Sequence, residues 1–417
     1  MPDTSTADSN EASPERAFFA AAAIGGAAAF ALCGYELVRS TSSTLFVEAY
    51  SAEKLPAVMA VVPIGVAAMI YVYARLLTLL GPRRTLLTTS LLSGAALLGC
   101  YVAIRAQSKL ATAALYVLRE GYIVILIEQY WSFLNSTLGQ AGAKKYYGPI
   151  CGVGSLGAIL GANLVGAWSQ PLGSVNLLLI AAALVIPAAA FSDLAYRRCG
   201  EPQPLKIEGE KPRGELGLGL FREHRVLVLL MLIVLATQMV STGLDLHFNT
   251  LLKLKIPNAD ARNAYSGHFW SDVSIASAIF QFVIAPLLLR YVAIGWIHLG
   301  IPLIHLVSCG YLFASPTLAV AGIAFLLFKT LDYSIFRAAK EMLYIPLPFD
   351  ARYRAKEWID VFGYRFGKGG TSLAITILNL PAAQALGFYA GLAWCASAAW
   401  LGLALPISRS YLKKENG

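Results

Sequence analysis

The sequence predicts an all-α membrane protein of twelve transmembrane helices, arranged as two six-helix, pseudo-symmetric halves. Three observations predict it. The 417-residue chain is 57% hydrophobic and 14% charged, whereas soluble domains carry about 25% charged residues. Its mean hydropathy is +0.61, and apolar runs near the ~20 residues that cross a bilayer core recur along its whole length. Sequence fragments in the first half also recur in the second at a nearly constant offset.

Residues 1–16 are polar and acidic, with Asp3, Asp8, Glu11 and Glu15. They lack the basic start of a secretory leader and the Arg-rich character of a transit peptide. They are expected to form a disordered cytoplasmic tail. Spans at 17–38, 55–80, 85–105, 110–134, 148–169 and 174–195 build an N-terminal half, 17–195. Spans at 226–251, 264–289, 292–314, 316–345, 358–381 and 384–406 build a C-terminal half, 226–406. Between them, 196–225 holds Arg197, Arg198, Lys206, Lys211, Arg213, Arg222 and Arg225 and reads as a cytoplasmic linker. Residues 407–417 form a second cytoplasmic tail. With both termini inside, the basic loops fall on the cytoplasmic side, as the positive-inside bias demands. A bacterial inner membrane fits this multi-pass pattern best. The net charge of +9 then belongs to membrane loops and calls for no nucleic acid. The six cysteines show no metal or disulfide spacing.

The halves read as a duplicated unit. Ala143-Lys144-Lys145-Tyr146 parallels Ala355-Lys356-Glu357-Trp358, and at that offset Gly157 falls on Gly369. Gly34, Glu36, Leu37 and Thr41 parallel Gly243, Asp245, Leu246 and Thr250. Parallel six-span repeats are the architecture of the major facilitator superfamily, in which solute binds near the midplane and the halves rock around it. The short basic turn Gly81-Pro82-Arg83-Arg84 stands where such carriers place one. A monomer with a central chamber between the halves is the expected arrangement.

Charge inside the spans points to the cargo. A charged side chain at bilayer depth costs at least ~2.5–3.5 kcal/mol on the insertion scale, so it faces water or a partner. The densest run lies between Leu326 and Leu373. Lys329, Asp332, Tyr333, Arg337, Lys340, Glu341 and Tyr344 follow at steps of three or four with few breaks, along one helical stripe. That stripe either lines a wet path or locks helices by internal ion pairs. In span one, Glu36 and Arg39 can pair with each other or face a solute. In span four, Glu128 is a candidate, and Arg119 is a ready partner for a Glu on a neighbouring helix. Span seven carries Gln238, Thr242, Asp245 and Asn249 at steps of four, three and four, with His247 off that stripe as a packing residue. In span eight His268 and Asp272 can form a proton relay or a hydrogen-bonded pair. Span eleven sets Arg365 and Lys368 among Gly363, Gly367, Gly369 and Gly370, which serve either close packing or an anion cradle. Several cations with a few carboxylates suit an anionic or zwitterionic solute.

No nucleophile–base pair, HExxH, Cys/His metal spacing or dinucleotide fingerprint occurs. Neither an enzyme, a cofactor nor a bound metal is expected.

Two blocks then carry a resemblance. AAKEMLYIPLP (338–348) and RAKEWIDVFGYRFGKGG (354–370) are similar to the signature of the ATP/ADP antiporter family, nucleotide transporters of plastids and intracellular bacteria. YWSFLN (130–135), AKKYYGPICGVGS (143–155) and YELVRSTSSTLFV (35–47) resemble further family stretches. The resemblance implies a facilitator-like fold and nucleotide exchange, and it carries over Lys340, Glu341, Asp360, Gly367, Lys368 and Gly369. Departures bear on the cargo. Ser42-Ser43 stands where the family has Lys-Asp, and Asn249 and Asp245 fall near a family Lys and a family Glu. Asp332…Arg337 reverses the family's Lys…Asp. The family lysines so replaced are thought to hold phosphate.

The sequence thus predicts alternating-access transport of a polar anionic solute, with a nucleotide or phosphorylated compound as the leading candidate. The expected site residues are Glu36, Arg39, Glu128, Asp245, Lys329, Asp332, Arg337, Lys340, Glu341, Arg365 and Lys368. Proton-coupled transport of a carboxylate siderophore or sugar phosphate stays open, as does a non-transporting membrane scaffold.

Overall fold

The computed structural model describes residues 13–138, 140–201, 220–223, 225–344, 359 and 363–415. Among them every regular element is helical. The order is α1 (Pro14–Tyr50), α2 (Leu55–Arg105), α3 (Lys109–Thr137), α4 (Gln140–Leu172), α5 (Leu177–Cys199), the single turn α6 (Leu220–Glu223) and α7 (Arg225–Lys255). It continues with α8 (Ala259–Ile279), α9 (Ala285–Tyr291), α10 (Ile294–Ala314), α11 (Leu318–Leu331), α12 (Arg337–Tyr344), α13 (Tyr364–Leu378) and α14 (Ala382–Glu415). Ten helices among the described residues are long and apolar enough to cross a membrane.

Two of the expected spans lie in one of these ten. Spans 55–80 and 85–105 are both in α2, parted at Gly81, whose φ of 75° and ψ of 171° leave the helical region. A β-carbon disfavours positive φ, so glycine is the residue suited to that break. Span 358–381 corresponds to α13, of which the described helix has 15 residues. Residues 345–358 and 360–362, Asp360 among them, lie outside the described residues, as do 1–12 and 202–219.

Helix ends follow local chemistry. Ser108 Oγ accepts from Ala111 N at the start of α3, and Thr317 Oγ1 does the same for Val320 N before α11. Each satisfies one of the donors a helix start leaves open. Two helices contain a π-turn, Phe280–Ile284 between α8 and α9 and Asp332–Phe336 between α11 and α12.

By its contacts the chain forms two units. The first takes Met1–Ala49, Ile64–Ile207 and Asn258–Ser271. Its centre is α1, whose Ala20, Ile24, Ala27 and Ala31 are buried. Lipid is as apolar as leucine, so close packing, not water avoidance, joins helices there. Gly157 and Gly161 of α4 accordingly abut the backbone of Ala29 and Cys33 on α1, where a methyl group would overlap it. The first turns of α8 join this unit through polar contacts. Arg262 pairs with Glu48 at 2.7 Å, Asn263 donates to Thr41 Oγ1 at 3.1 Å, and Asp260 accepts from Ser174 N at 2.7 Å.

The second unit takes Tyr50–Pro63, Glu208–Pro257 and Asp272–Gly417. Here α7 packs against α11, α13 and α14, and α10 packs against α11 and α14. Phe248 lies 5.7 Å from Phe325, ring centre to ring centre, and Trp400 stacks on His305. His247 is buried with Nδ1 3.0 Å from the Leu386 carbonyl.

Candidate functional site

In the first unit, four in-span charges gather on α1 and α3. Glu36 is buried and ion-paired with Arg39, one turn further along α1. The Arg39 guanidinium lies 3.6 Å from the centre of the Trp270 ring and 5.5 Å from that of Tyr35. Arg119 of α3 is 4% exposed. It donates to the Arg39 carbonyl at 2.8 Å, to Ser42 Oγ at 2.9 Å and to Ser43 Oγ at 2.6 Å. It also pairs with Glu120 at 3.1 Å and stacks 3.7 Å over Tyr116. Two cations and two carboxylates thus balance within one largely enclosed group, which offsets part of the cost of taking them from water.

Arg119 and its serine acceptors are the part of this group that the spacing of charges does not reveal. The signal was a hydroxyl-rich run, Ser40 to Thr44, facing an in-span arginine. Glu128 stands apart. It is exposed, and among the described residues it has neither a hydrogen bond nor an ion pair. His268 and Asp272 are likewise both exposed.

In the second unit the polar stripe of α7 divides. Gln238 and Thr242 are buried. Asp245 and Asn249 are half-buried. Asp245 Oδ1 accepts from Asn249 Nδ2 at 2.8 Å, and its Oδ2 faces Lys368 Nζ of α13 at 3.4 Å. Of Gly363, which caps α13, and the three glycines within it, three are packing positions. Gly363 and Gly367 meet Val234 and Gln238 of α7, and Gly369 meets Pro63, while Gly370 is open.

Lys329 sits half-way along the Leu318–Tyr344 span. Its Nζ donates to Ser241 Oγ at 3.0 Å. It lies 5.5, 5.6 and 5.4 Å from the ring centres of Phe325, Phe328 and Tyr333. Cation–π attraction of this kind is worth about 0.5–2 kcal/mol per ring, more where water is excluded. Among the described residues no carboxylate lies within ion-pair distance of it.

The expected single stripe from Lys329 to Tyr344 is broken. The π-turn at Asp332–Phe336 inserts one residue into the helical register; π-turns bond residue i to i+5 and concentrate at functional sites. Beyond it Arg337 is exposed while Lys340 is buried, its Nζ 4.8 Å over the Tyr364 ring. Asp332 and Arg337, five apart, are brought one turn apart. Asp332 is within range of the charges of Lys329, Arg337 and Lys340, yet its Oδ1 is buried without a hydrogen-bond partner among the described residues. Glu341 and Arg365 are half-buried. The second unit therefore brings together Asp245 with Lys368, and Lys329 with Asp332, on the helices around α7.

The chain is similar to known proteins in sequence and in fold. Residues 218–401 match the family model described as TLC ATP/ADP transporter. The ADP,ATP carrier protein 1 of Chlamydia muridarum is 27% identical over 307 residues, 63% of this chain and 57% of that carrier. The chloroplastic ADP,ATP carrier protein 2 of Arabidopsis thaliana is 25% identical over 303 residues, 62% of this chain and 47% of that carrier. The chain thus spans about half the length of these relatives. Among solved structures, the nucleoside transporter NupG superposes with a TM-score of 0.69 at 14% identity, over 94% of this chain and 99% of that one. The POT family transporter PepTSo gives 0.66 at 14% identity, over 96% and 99%. The fold is of the major facilitator type.

Proposed function

We propose that this chain, whose residues 218–401 carry the TLC ATP/ADP transporter match, is an alternating-access carrier that exchanges a nucleotide or closely related phosphorylated anion. One observation carries the reading: Lys329 is a mid-span cation held by a serine hydroxyl and three rings, with no carboxylate in ion-pair distance among the described residues. An unpaired cation at that depth is costly unless it faces water, and it is ready to take an anionic group. The names of the related carriers supply the cargo class.

In this reading the cargo's charge is met by Lys329 first, with Arg337 beside it. Asp245 with Lys368 and Glu36 with Arg39 keep the empty protein close to neutral, and Asp332 offsets the cations as cargo leaves. Lys340, Glu341 and Arg365 support the Lys329 helix, and Glu128 has a peripheral role. The protein works as a monomer in a bacterial inner membrane, both termini cytoplasmic, with six spans in 17–195, six in 226–406 and a basic linker at 196–225.

Proteoliposome uptake tests this. Purified protein should take up labelled ADP or ATP only when a nucleotide is present inside, and Lys329→Gln should cut the initial rate at least tenfold while insertion is unchanged. Uptake at the wild-type rate in Lys329→Gln, or no entry and no competition by any nucleotide, would remove the reading.

A further inference from the structure

We infer that Tyr333 is the platform on which the aromatic base of the cargo stacks, while Lys329 holds the phosphate end; this rests on the carrier reading above. Three rings surround the Lys329 ammonium at nearly equal distance, 5.4 to 5.6 Å. Phe325 and Phe328 are core residues, 1% and 0% exposed, so neither can offer a ring face to a solute. Tyr333 is 36% exposed.

The side on which Tyr333 lies is fixed by its neighbours. Lys329, one turn before it, has no carboxylate within ion-pair distance among the described residues, and a cation so placed at mid-span calls for water on its open side. Arg337, four residues after it, is exposed, and among the described residues it has no hydrogen bond or ion pair. Tyr333 therefore stands between two available cations on the wet side of the helix. It does so within the π-turn Asp332–Phe336. The Tyr333 hydroxyl likewise has no hydrogen-bond partner among the described residues, so no bond ties that ring in place.

An exposed ring flanked by two cations that have no ion pair among the described residues matches the chemistry of one class of anion: a planar base joined to a phosphate chain. A plain organic phosphate or pyrophosphate would use the cations and leave the ring idle. Base stacking on an aromatic side chain contributes about 1–3 kcal/mol, which corresponds to a roughly 5- to 150-fold change in affinity.

Two measurements test the assignment on the full-length protein. In detergent, ADP should raise the unfolding temperature more than pyrophosphate at equal concentration. Tyr333→Leu should abolish that difference, with the pyrophosphate effect intact, and Tyr333→Phe should keep it. In proteoliposomes Tyr333→Leu should raise the apparent KM for ADP about tenfold, with Tyr333→Phe near wild type. Equal stabilisation of the wild type by ADP and pyrophosphate would overturn the platform and leave an anion carrier standing. So would a Tyr333→Leu protein that folds and keeps the wild-type KM. Stabilisation by neither compound, with no nucleotide uptake, would overturn the carrier reading and the platform with it.

Discussion

Lys368 reaches from α13 to within 3.4 Å of Asp245 on α7, so the carboxylate that the repeat aligns with Glu36 also holds a cation. Glu36 takes its cation from its own helix, Arg39. Asp245 takes one from a different helix and is steadied by Asn249 at 2.8 Å. The two repeats thus keep a neutral pair at matching positions by different routes.

That difference is measurable. The Lys368 and Asp245 side chains are 31% and 17% exposed, so solvent weakens the pair, and breaking it should cost about 1–2 kcal/mol, well under the value for a fully buried pair. Lys368→Met and Asp245→Asn are each expected to lower the unfolding temperature in detergent. The double variant should lose less than the sum, because neither charge is then left alone. Strict additivity in that cycle would show that the two side chains do not interact.

Arg119 should matter more for stability than any residue of the Lys329 helix. It is buried and bonds to three oxygens of α1 and to Glu120. Hydrogen bonds to charged groups are worth about 1.5–3 kcal/mol, and an orphaned partner adds a desolvation cost. Arg119→Met is expected to destabilise by roughly 2–4 kcal/mol and Ser43→Ala by about 1 kcal/mol. Arg119→Lys should recover little, since an ammonium cannot span the same acceptors as the planar fork. Chemical unfolding monitored by tryptophan fluorescence checks the order. A tolerated Arg119→Met would mean these bonds add nothing net.

Much of this architecture is legible in the sequence, for physical reasons. Apolar length sets where a chain can cross lipid, so the span expected at 110–134 lies within Lys109–Thr137, and that expected at 292–314 all but coincides with Ile294–Ala314. Gly81-Pro82 reads as a break between two spans, and the helical path is interrupted at Gly81. What the sequence conceals is register. A π-turn adds a residue with no compositional mark, so the even spacing from Lys329 to Tyr344 suggests one face where the structure has two. Arg119 is legible as an ion-pair partner, though its carboxylate is Glu120 of its own helix; its other acceptors are serine hydroxyls and a backbone carbonyl, which carry no charge pattern to match. Glu128, a lone acid in an apolar run, draws attention by the very rule that makes in-span charge functional, yet it joins neither charged group.

Gly81 offers a test of the fold independent of cargo. Its φ of 75° is open to glycine and strained for any residue with a β-carbon. Gly81→Ala and Gly81→Asn should each cost about 1–3 kcal/mol, because a ψ of 171° lies outside the left-handed helical region that asparagine tolerates and in one open essentially to glycine. Thermal unfolding in detergent gives both costs. Equal stability of the alanine variant would mean the backbone there relaxes into an ordinary helix and joins the two spans of α2.

Asp332 is where charge balance and turnover meet. Its carboxylate is within range of Lys329, Arg337 and Lys340, and Oδ1 is buried without a hydrogen-bond partner among the described residues. A carboxylate so placed lowers the pull of those cations on an anion, because it shares the same field. Asp332→Asn removes the negative charge and keeps the shape. The cations should then hold cargo more tightly in the resting bound state than along the transport step, which deepens the well that the step must leave. The expected result is a several-fold lower KM for the nucleotide with a several-fold lower maximal exchange rate, measured as initial counter-flow in proteoliposomes. The two changes should move together, and both should shrink in high salt as the cations are screened. A variant with unaltered KM and a lower maximal rate would place Asp332 in the conformational step alone, and unaltered values of both would show that its charge is not felt by the cargo.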